Sequence, residues 1–463
     1  MASQSRIALL DLPGETIDHI LSHLPSSALV QMSATCHLLR IHTQNDLLWK
    51  SLVLENWPHP QAFPAPFDTW KDLYKAHHPF WFLPKHKLWF SDHANTGGSL
   101  VGQIIIARYD HRTGCIEGYR MLAEHLEMGA FMWGEIPGVV VHTFTPRVFL
   151  FLDEPVLKLD PKAYASSGRL QNELPMPKRL IHGPHSIRSS MILTRAIPKE
   201  LQTRSMALWP PRIFPAVNRV RSESPDLFRG TGHRPTKLSE MSDTTFRIRK
   251  WVEFGGAELG VRMGEDVMTF SSLPTDCYTP TKEKPWQGIW IGDYSTHGCE
   301  FLVVIQRDKN ETMYEQPVFL DQPAYDDDDQ EPEASEGTNS GANGRRTVEQ
   351  QDPPGCTGRL EAIKLTGDPN VRRGEYTWIA EDIGHRGLVR VAEEPVFKNA
   401  RIVRSWGHVA TQGFVDDSYI PSQLIMINHD NLAQYWEDFG HVSYYTRINI
   451  DDYLDVEQAP LCP

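Results

Sequence analysis

Two short segments carry the side chains best suited to chemistry. The first runs from Pro285 to Leu302 and places Trp290, Tyr294 and His297 on two apolar runs joined by a turn around Ser295 to Gly298. The second, Leu365 to Asn370, sets Asp368 between Gly367 and Pro369. Gly and Pro restrict a loop in opposite ways, so a carboxylate between them is aimed in a fixed direction. Such a group can accept hydrogen bonds from a ligand, or it can cap a β-turn, as Asp before Pro often does. Both readings stand. A Trp in an alternating strand equally suits a core, and a His in a tight turn equally suits solvent. His182 and His185 have HxxH spacing, but in a Pro-rich stretch without a third ligand, so no metal site is expected. No GxSxG elbow, P-loop or HExxH is present, and Gly255, Gly256 and Gly260 match no phosphate-binding arrangement. No catalytic residue and no cofactor are assigned.

The elements that must hold these loops divide by periodicity. Residues 7–77 show helical spacing, whereas from Trp81 onward apolar residues come in short alternating runs bounded by turn residues. Strands are expected over 87–91, 101–109, 115–121, 139–144, 148–152, 288–294, 299–306, 360–366, 424–428 and 442–448. Many strands without intervening helices predict an α+β chain, with a small helical module ahead of a large antiparallel β-barrel or sandwich. The chain of 463 residues thus reads as a helical module over 7–56, a helical linker over 57–79 and a β domain over 80–460.

Two stretches depart from this pattern. Asp321 to Asp352 holds ten acids against Arg345 and Arg346, most of the net charge of −13, and 321–355 reads as a disordered insertion. Residues 161–250 hold 17 Lys and Arg against 6 Asp and Glu, with ten prolines, and read as a basic, Pro-rich insertion. The cations are scattered and lack an aromatic stacking ladder, so nucleic acid is not an expected partner. No apolar run approaches the roughly 18 residues of a membrane helix. The N-terminus does not read as a signal peptide, and six dispersed cysteines read as free thiols, so a cytoplasmic or nuclear location is expected.

In the helical module, Ile17, Ile20, Leu21 and Leu24 fall on one helical face. Pro13 suits its first turn and Pro25 its end. Leu29 and Val30 sit in a second helix, Leu38 and Leu39 in a third, and Leu48 and Trp49 in a fourth. Helices this short form a marginal fold alone, which a partner covering leftover apolar surface would stabilise. The text from Leu12 through Trp49 is similar to the F-box, the module that docks on the Skp adaptor of cullin-RING ubiquitin ligases, with Leu38 and Leu39 where many F-boxes carry an aromatic. The resemblance implies that Leu12, Pro13, Ile17, Ile20, Leu21, Leu29, Val30, Leu38, Leu48 and Trp49 divide between the module's core and the adaptor interface; the sequence does not say how.

Residues 285–450, without the acidic stretch, resemble the substrate domain of the F-box-only family that targets D-type cyclins and captures C-terminally amidated proteins. That resemblance implies a non-catalytic receptor with the Skp adaptor and cullin scaffold as partners and a β domain that binds a terminal degron. A primary amide offers two N–H donors and one acceptor, whereas a free C-terminus offers acceptors and a charge. A fixed carboxylate would favour the first and repel the second. Asp368 is the leading candidate, with Trp290, Tyr294 and His297 as possible lining. The alternative is a ligand-binding or enzymatic barrel that carries an F-box-like interaction module.

Overall fold

The computed structural model describes residues 8–58, 62–92, 101–126, 129–164, 170–180, 186–203, 205–222, 234–254, 261–308, 311 and 352–456. The acidic stretch up to residue 351, together with His182, His185, Gly255, Gly256 and Gly260, lies outside them. Six helices come first: α1 Gly14–Ser22, α2 Ser26–Ser33, α3 His37–His42, α4 Asp46–Asn56, α5 Trp70–His77 and α6 Phe82–His86. Pro13 and Pro25 occupy the N-cap positions of α1 and α2, where a missing N–H costs nothing. Asn45 caps α4 through Leu47 N–H, and the carboxylate of Asp46 accepts from Trp70 and Lys71 N–H at the start of α5 (3.1 and 3.0 Å). α6 lies where the alternation suggested that strands had already begun. No helix among the described residues is long and apolar enough to cross a membrane.

The first sheet contains β1 Leu88–Ser91, β2 Ile104–Asp110, β3 Cys115–His125, β4 Pro146–Leu150, β5 Glu173–Pro175, β6 Ser186–Arg195, β7 Met241–Phe254 and β8 Val261–Ser272. Their order is β4-β3-β2-β1-β8-β7-β6-β5, with two further short strands at Leu157–Leu159 and Arg179–Leu180. β6 and β7 pair over most of their length, Met191 opposite Ile248 and Leu193 opposite Phe246. Residues 161–250 are therefore not an insertion in the β domain; they supply interior strands of this sheet. Their prolines and cations fall largely in the connections. Some cations serve half-buried acids, as where Glu173 binds Arg234 (2.8 Å) and Arg249.

The second sheet closes on itself. β9 Gly288–Asp293, β10 Cys299–Arg307, β11 Arg359–Lys364, β12 Tyr376–Ala380, β13 Arg401–Thr411, β14 Val415–Asn428, β15 Asn431–Trp436 and β16 His441–Ile448 follow in order. β16 pairs back on β9, Ile448 opposite Ile289 and Thr446 opposite Ile291. Closure of eight antiparallel strands leaves no open edge in the ring. The protein is thus α+β with strands dominant, a helical N-terminal region followed by a large antiparallel domain that contains a closed barrel.

Alternation decides where the cores lie. One face of the first sheet (Trp89, Ile105, Leu157, Met191, Phe246, Phe270) merges with Ile17, Leu21, Leu48, Trp49, Val53 and Leu73 of the helices in a single apolar cluster. The other face (Phe90, Ile104, Ile106, Met121) packs with Ile291, Phe301, Val303 and Ile363 on the outside of the barrel. Trp290, Leu302, Leu360, Trp378 and Leu424 form another cluster within the barrel sheet. His77 ties helices to sheet, bonding Gly114 O at 3.0 Å and meeting the ring of Tyr109; burial pushes its imidazole down to about 4. The helical module therefore shares its core with the sheet and does not stand alone.

Candidate functional site

The helices present one site. Ile17, Leu21, Leu29, Leu48 and Trp49 are buried, whereas Ile20, Val30 and Leu38 are exposed, as are Leu9, Leu10, Ile41 and Leu47. Pro13 is exposed and Leu12 half-buried. The ten candidate residues thus split into a core set and an outward set. The core is pinned by polar contacts: Asp18 binds His42 (2.7 Å) and accepts from Asn45 Nδ2 (2.9 Å), and Trp49 Nε1 donates to Thr43 O (2.9 Å). Truncating a buried Trp of this kind costs about 3–5 kcal/mol. The outward leucines, isoleucines and valine contribute little to that core, and a concentration of exposed apolar side chains on one small module suits a docking surface.

The second site is at one end of the barrel. The connection between β11 and β12 turns on Gly367 and Gly374, both at positive φ (74° and 77°) that a side chain would strain. Asp368 Oδ1 accepts from the N–H of Asn370 (2.6 Å) and Val371 (2.7 Å), so this carboxylate does cap the turn. Its Oδ2 accepts from Lys364 Nζ. Lys364 also lies 3.1 Å from Glu300 on β10 and 4.2 Å from the ring centroid of Tyr294. Tyr294 OH shares a hydrogen bond with Thr377 Oγ1 (2.7 Å), and His297 Nδ1 lies 3.9 Å from Asp368. Tyr294, His297, Lys364, Asp368, Asn370 and Val371 bound a cavity of about 310 Å3, completed by His408, Trp436, Phe439, His441 and Ser443, with Glu300 behind Lys364 and outside its lining.

Lys364 and Glu300 are nearly inaccessible, with side chains 1% and 3% exposed. Burying charges is costly unless they are paired, so the two acids compete for one cation. Burial raises both acids, but Asp368 is brought down to about 2 by Lys364 and by hydrogen bonds from Glu300, Lys364 and Val371 N–H. Burial, with the neighbouring Asp368, pushes Glu300 up to about 8 against the pull of Lys364. Of the two acids Asp368 is thus the one that gives up its proton readily and Glu300 the one that holds it. Burial raises the Tyr294 hydroxyl well above its usual range, with Tyr445 and Glu300 adding to the shift. The cluster sets the carboxylate of Asp368 and the Nζ of Lys364 side by side at the cavity wall.

Of the four expected pocket residues, Asp368, Tyr294 and His297 come together here. Trp290 does not. It is fully buried among Trp286, Leu302 and Trp378, and its Nε1 donates to Trp286 O (3.2 Å), so it is core. Lys364 and Glu300 escaped sequence reasoning, yet a signal existed. Leu360, Ala362 and Lys364 share one face of β11, as Glu300, Leu302 and Val304 share one face of β10, and in both the apolar row ends in a charge. Among the described residues no group of three or more His, Cys, Asp or Glu is placed to hold a metal.

Residues 9–55, which span α1 to α4, match the family described as F-box-like, and residues 270–452, which contain the whole barrel, match the Cyclin D1 binding domain. No curated protein matches the chain. An F-box-like segment ahead of such a domain is the arrangement of an F-box protein, the class that the chain resembles. It resembles, within that class, the F-box-only family that targets cyclin D1.

Proposed function

We propose that the protein is a substrate receptor of a Skp, cullin and F-box ubiquitin ligase, and that the end of the barrel receives the C-terminal amide of a protein destined for degradation. The outward set Ile20, Val30 and Leu38, with Leu9, Leu10, Ile41 and Leu47, is the surface for the Skp adaptor, which links the receptor to the cullin. The chain contributes proximity and no chemistry of its own, in a cytoplasmic or nuclear setting.

The observation that carries the reading of the barrel is the buried cluster in which Lys364 joins Asp368 and Glu300 beside Tyr294 and His297. Asp368 Oδ1 is filled by the two N–H groups of its own turn, so a primary amide N–H would reach Oδ2 in place of the hydrogen bond from Glu300, while Lys364 donates to the amide oxygen. An amide adds no charge to the cluster. A carboxylate in the same place adds an unbalanced charge to a buried site. The test is a titration of matched peptides that differ only in ending as carboxamide or acid. The carboxamide is expected to bind about ten-fold tighter, a difference of about 1.4 kcal/mol. Equal affinities would sink the amide reading while leaving adaptor binding untouched.

A further inference from the structure

The turn that carries Asp368 is backed by residues that do not belong to the barrel. Two short strands, Leu208–Trp209 and Val220–Arg221, pair with one another, and between them the chain forms no regular element. Arg219 binds that segment together instead: its guanidinium donates to the carbonyls of Pro210 (3.1 Å), Arg212 (3.4 Å), Phe214 (2.6 Å) and Ala216 (3.3 Å). Trp209 and Phe214 are buried and meet the ring of Phe90 on β1 at 5.3 and 4.8 Å between centroids. A connection with its carbonyls satisfied and two aromatic anchors has the contacts of a fixed body.

The Asp368 turn rests on this body and on the first sheet. Arg373 lies 5.7 Å from the ring centroid of Trp209, and a Cβ on Gly374 would come 2.9 Å from Pro211 Cγ. From the first sheet, Gly102 N–H donates to Thr366 O (2.5 Å), and a Cβ on Gly102 would come 2.7 Å from Arg373 Cδ and 2.9 Å from Ser91 O. Asp92, which follows β1, is buried and accepts from Thr269 N–H (2.7 Å) on β8 and from Ser222 Oγ (2.9 Å), so it joins the sheet to the end of the segment. Burial pulls the Arg373 guanidinium down to about 10, and Asp92 acts against that shift. The turn is thus held before Asp368 at Thr366 and after it at Arg373. Arg373 does not line the barrel-end cavity, so whatever it does there it does through the turn.

A side chain that discriminates between ligands has to be kept within about 0.5 Å of its working geometry by the residues behind it. We propose that Arg373 is a positioning residue for Asp368, and that the segment 205–222, with Asp92 and Gly102, is the support against which it sets the turn. The inference rests on the reading of Asp368 as the seat of the chain end. Its consequence is that selection of a terminal amide depends on residues ahead of the barrel, since Asp92, Gly102, Trp209 and Ser222 all lie outside the matched residues 270–452.

The matched carboxamide and acid peptides test this on the full chain. Wild type should prefer the carboxamide about ten-fold, and Arg373→Leu should reduce that to about two-fold or less by weakening the carboxamide peptide. Gly102→Ala, which displaces Arg373 without removing a charge, should do the same. Arg373→Lys keeps a cation for Asp92 but loses the planar fork, and should bring the preference back to about five-fold. Met191→Ala opens a void on the helix-facing side of the first sheet. It should lower the melting temperature and leave the preference unchanged, which separates positioning from loss of stability. A preference that survives Arg373→Leu or Gly102→Ala, or that falls as far in Met191→Ala, would overturn the proposal and leave the chain-end reading standing. Equal affinities in the wild type would overturn both.

Discussion

The helical module and the barrel end break the ordinary distribution of residues in opposite directions. On the helices, Val30, Leu38, Ile41 and Leu47 are apolar and exposed, whereas at the barrel end Glu300, Lys364 and Asp368 are ionisable and buried. Apolar exposure and charge burial are both disfavoured in an isolated chain, and each makes sense when a partner covers the first or a polar ligand completes the second. The difference predicts different energetics. A flat apolar surface contributes affinity through a few large side chains, while a buried charged cluster contributes selectivity through what it excludes.

The largest effect should come from breaking the buried cluster. Lys364→Ala leaves Asp368 without its cation in a dry site, and urea unfolding should report a loss of about 3–5 kcal/mol. Val30→Asp with Leu38→Asp probes the other region. Adaptor affinity should fall on the order of 100-fold with little change in melting temperature, because neither side chain belongs to the shared core. A large drop in melting temperature would mean that the outward set is structural after all. Asp368→Asn is gentler, since an asparagine oxygen can still cap the turn. It should reduce the about ten-fold carboxamide preference to near parity, read by the same titration.

The last effect is a pH dependence, read as a slope of stability and not as a single loss. Glu300 titrates higher in the folded protein, about 8, than its usual 4.5. The folded state therefore holds this proton more tightly than the unfolded chain, and the stability this confers is present in full below about 4.5 and lost as pH rises toward 8 and beyond. Asp368 has the opposite sign: its contribution is present above its usual 3.8 and fades as pH falls toward 2. Between pH 5 and 9 the first dominates. Glu300→Gln should flatten the fall of thermal stability across that window, and a slope unchanged from wild type would show that Glu300 does not hold the proton.

The two regions also differed in how readily they could be read from the sequence. The helical module was legible because its signals are local: prolines at helix starts, an i, i+3, i+4, i+7 stripe, and Leu-Trp in a later helix. Which of its apolar residues face outward was not, because Leu29 and Val30 are adjacent and differ only in which side of α2 they occupy. The barrel's strands from Gly288 to Arg307 followed from alternation, and Asp368 from its flanking Gly and Pro. Lys364 and Glu300 did not, because a buried charge looks like a surface charge until its partners converge from different strands. The basic stretch misled for a related reason. Its bulk charge concealed the alternation of Phe246 and Ile248 in β7, and its long-range pairing with β6 leaves no local mark.

Joining the two surfaces in one function is the central claim, and reconstituted ubiquitin transfer tests it most directly. With adaptor, cullin and conjugating enzyme supplied, a model substrate ending in a carboxamide should be modified by the wild-type receptor and its free-acid twin only weakly. Val30→Asp with Leu38→Asp should abolish modification of both substrates, while Asp368→Asn should erase the difference between them. Equal modification of amide and acid by the wild-type receptor, or undiminished transfer after the Val30 and Leu38 substitutions, would contradict the account.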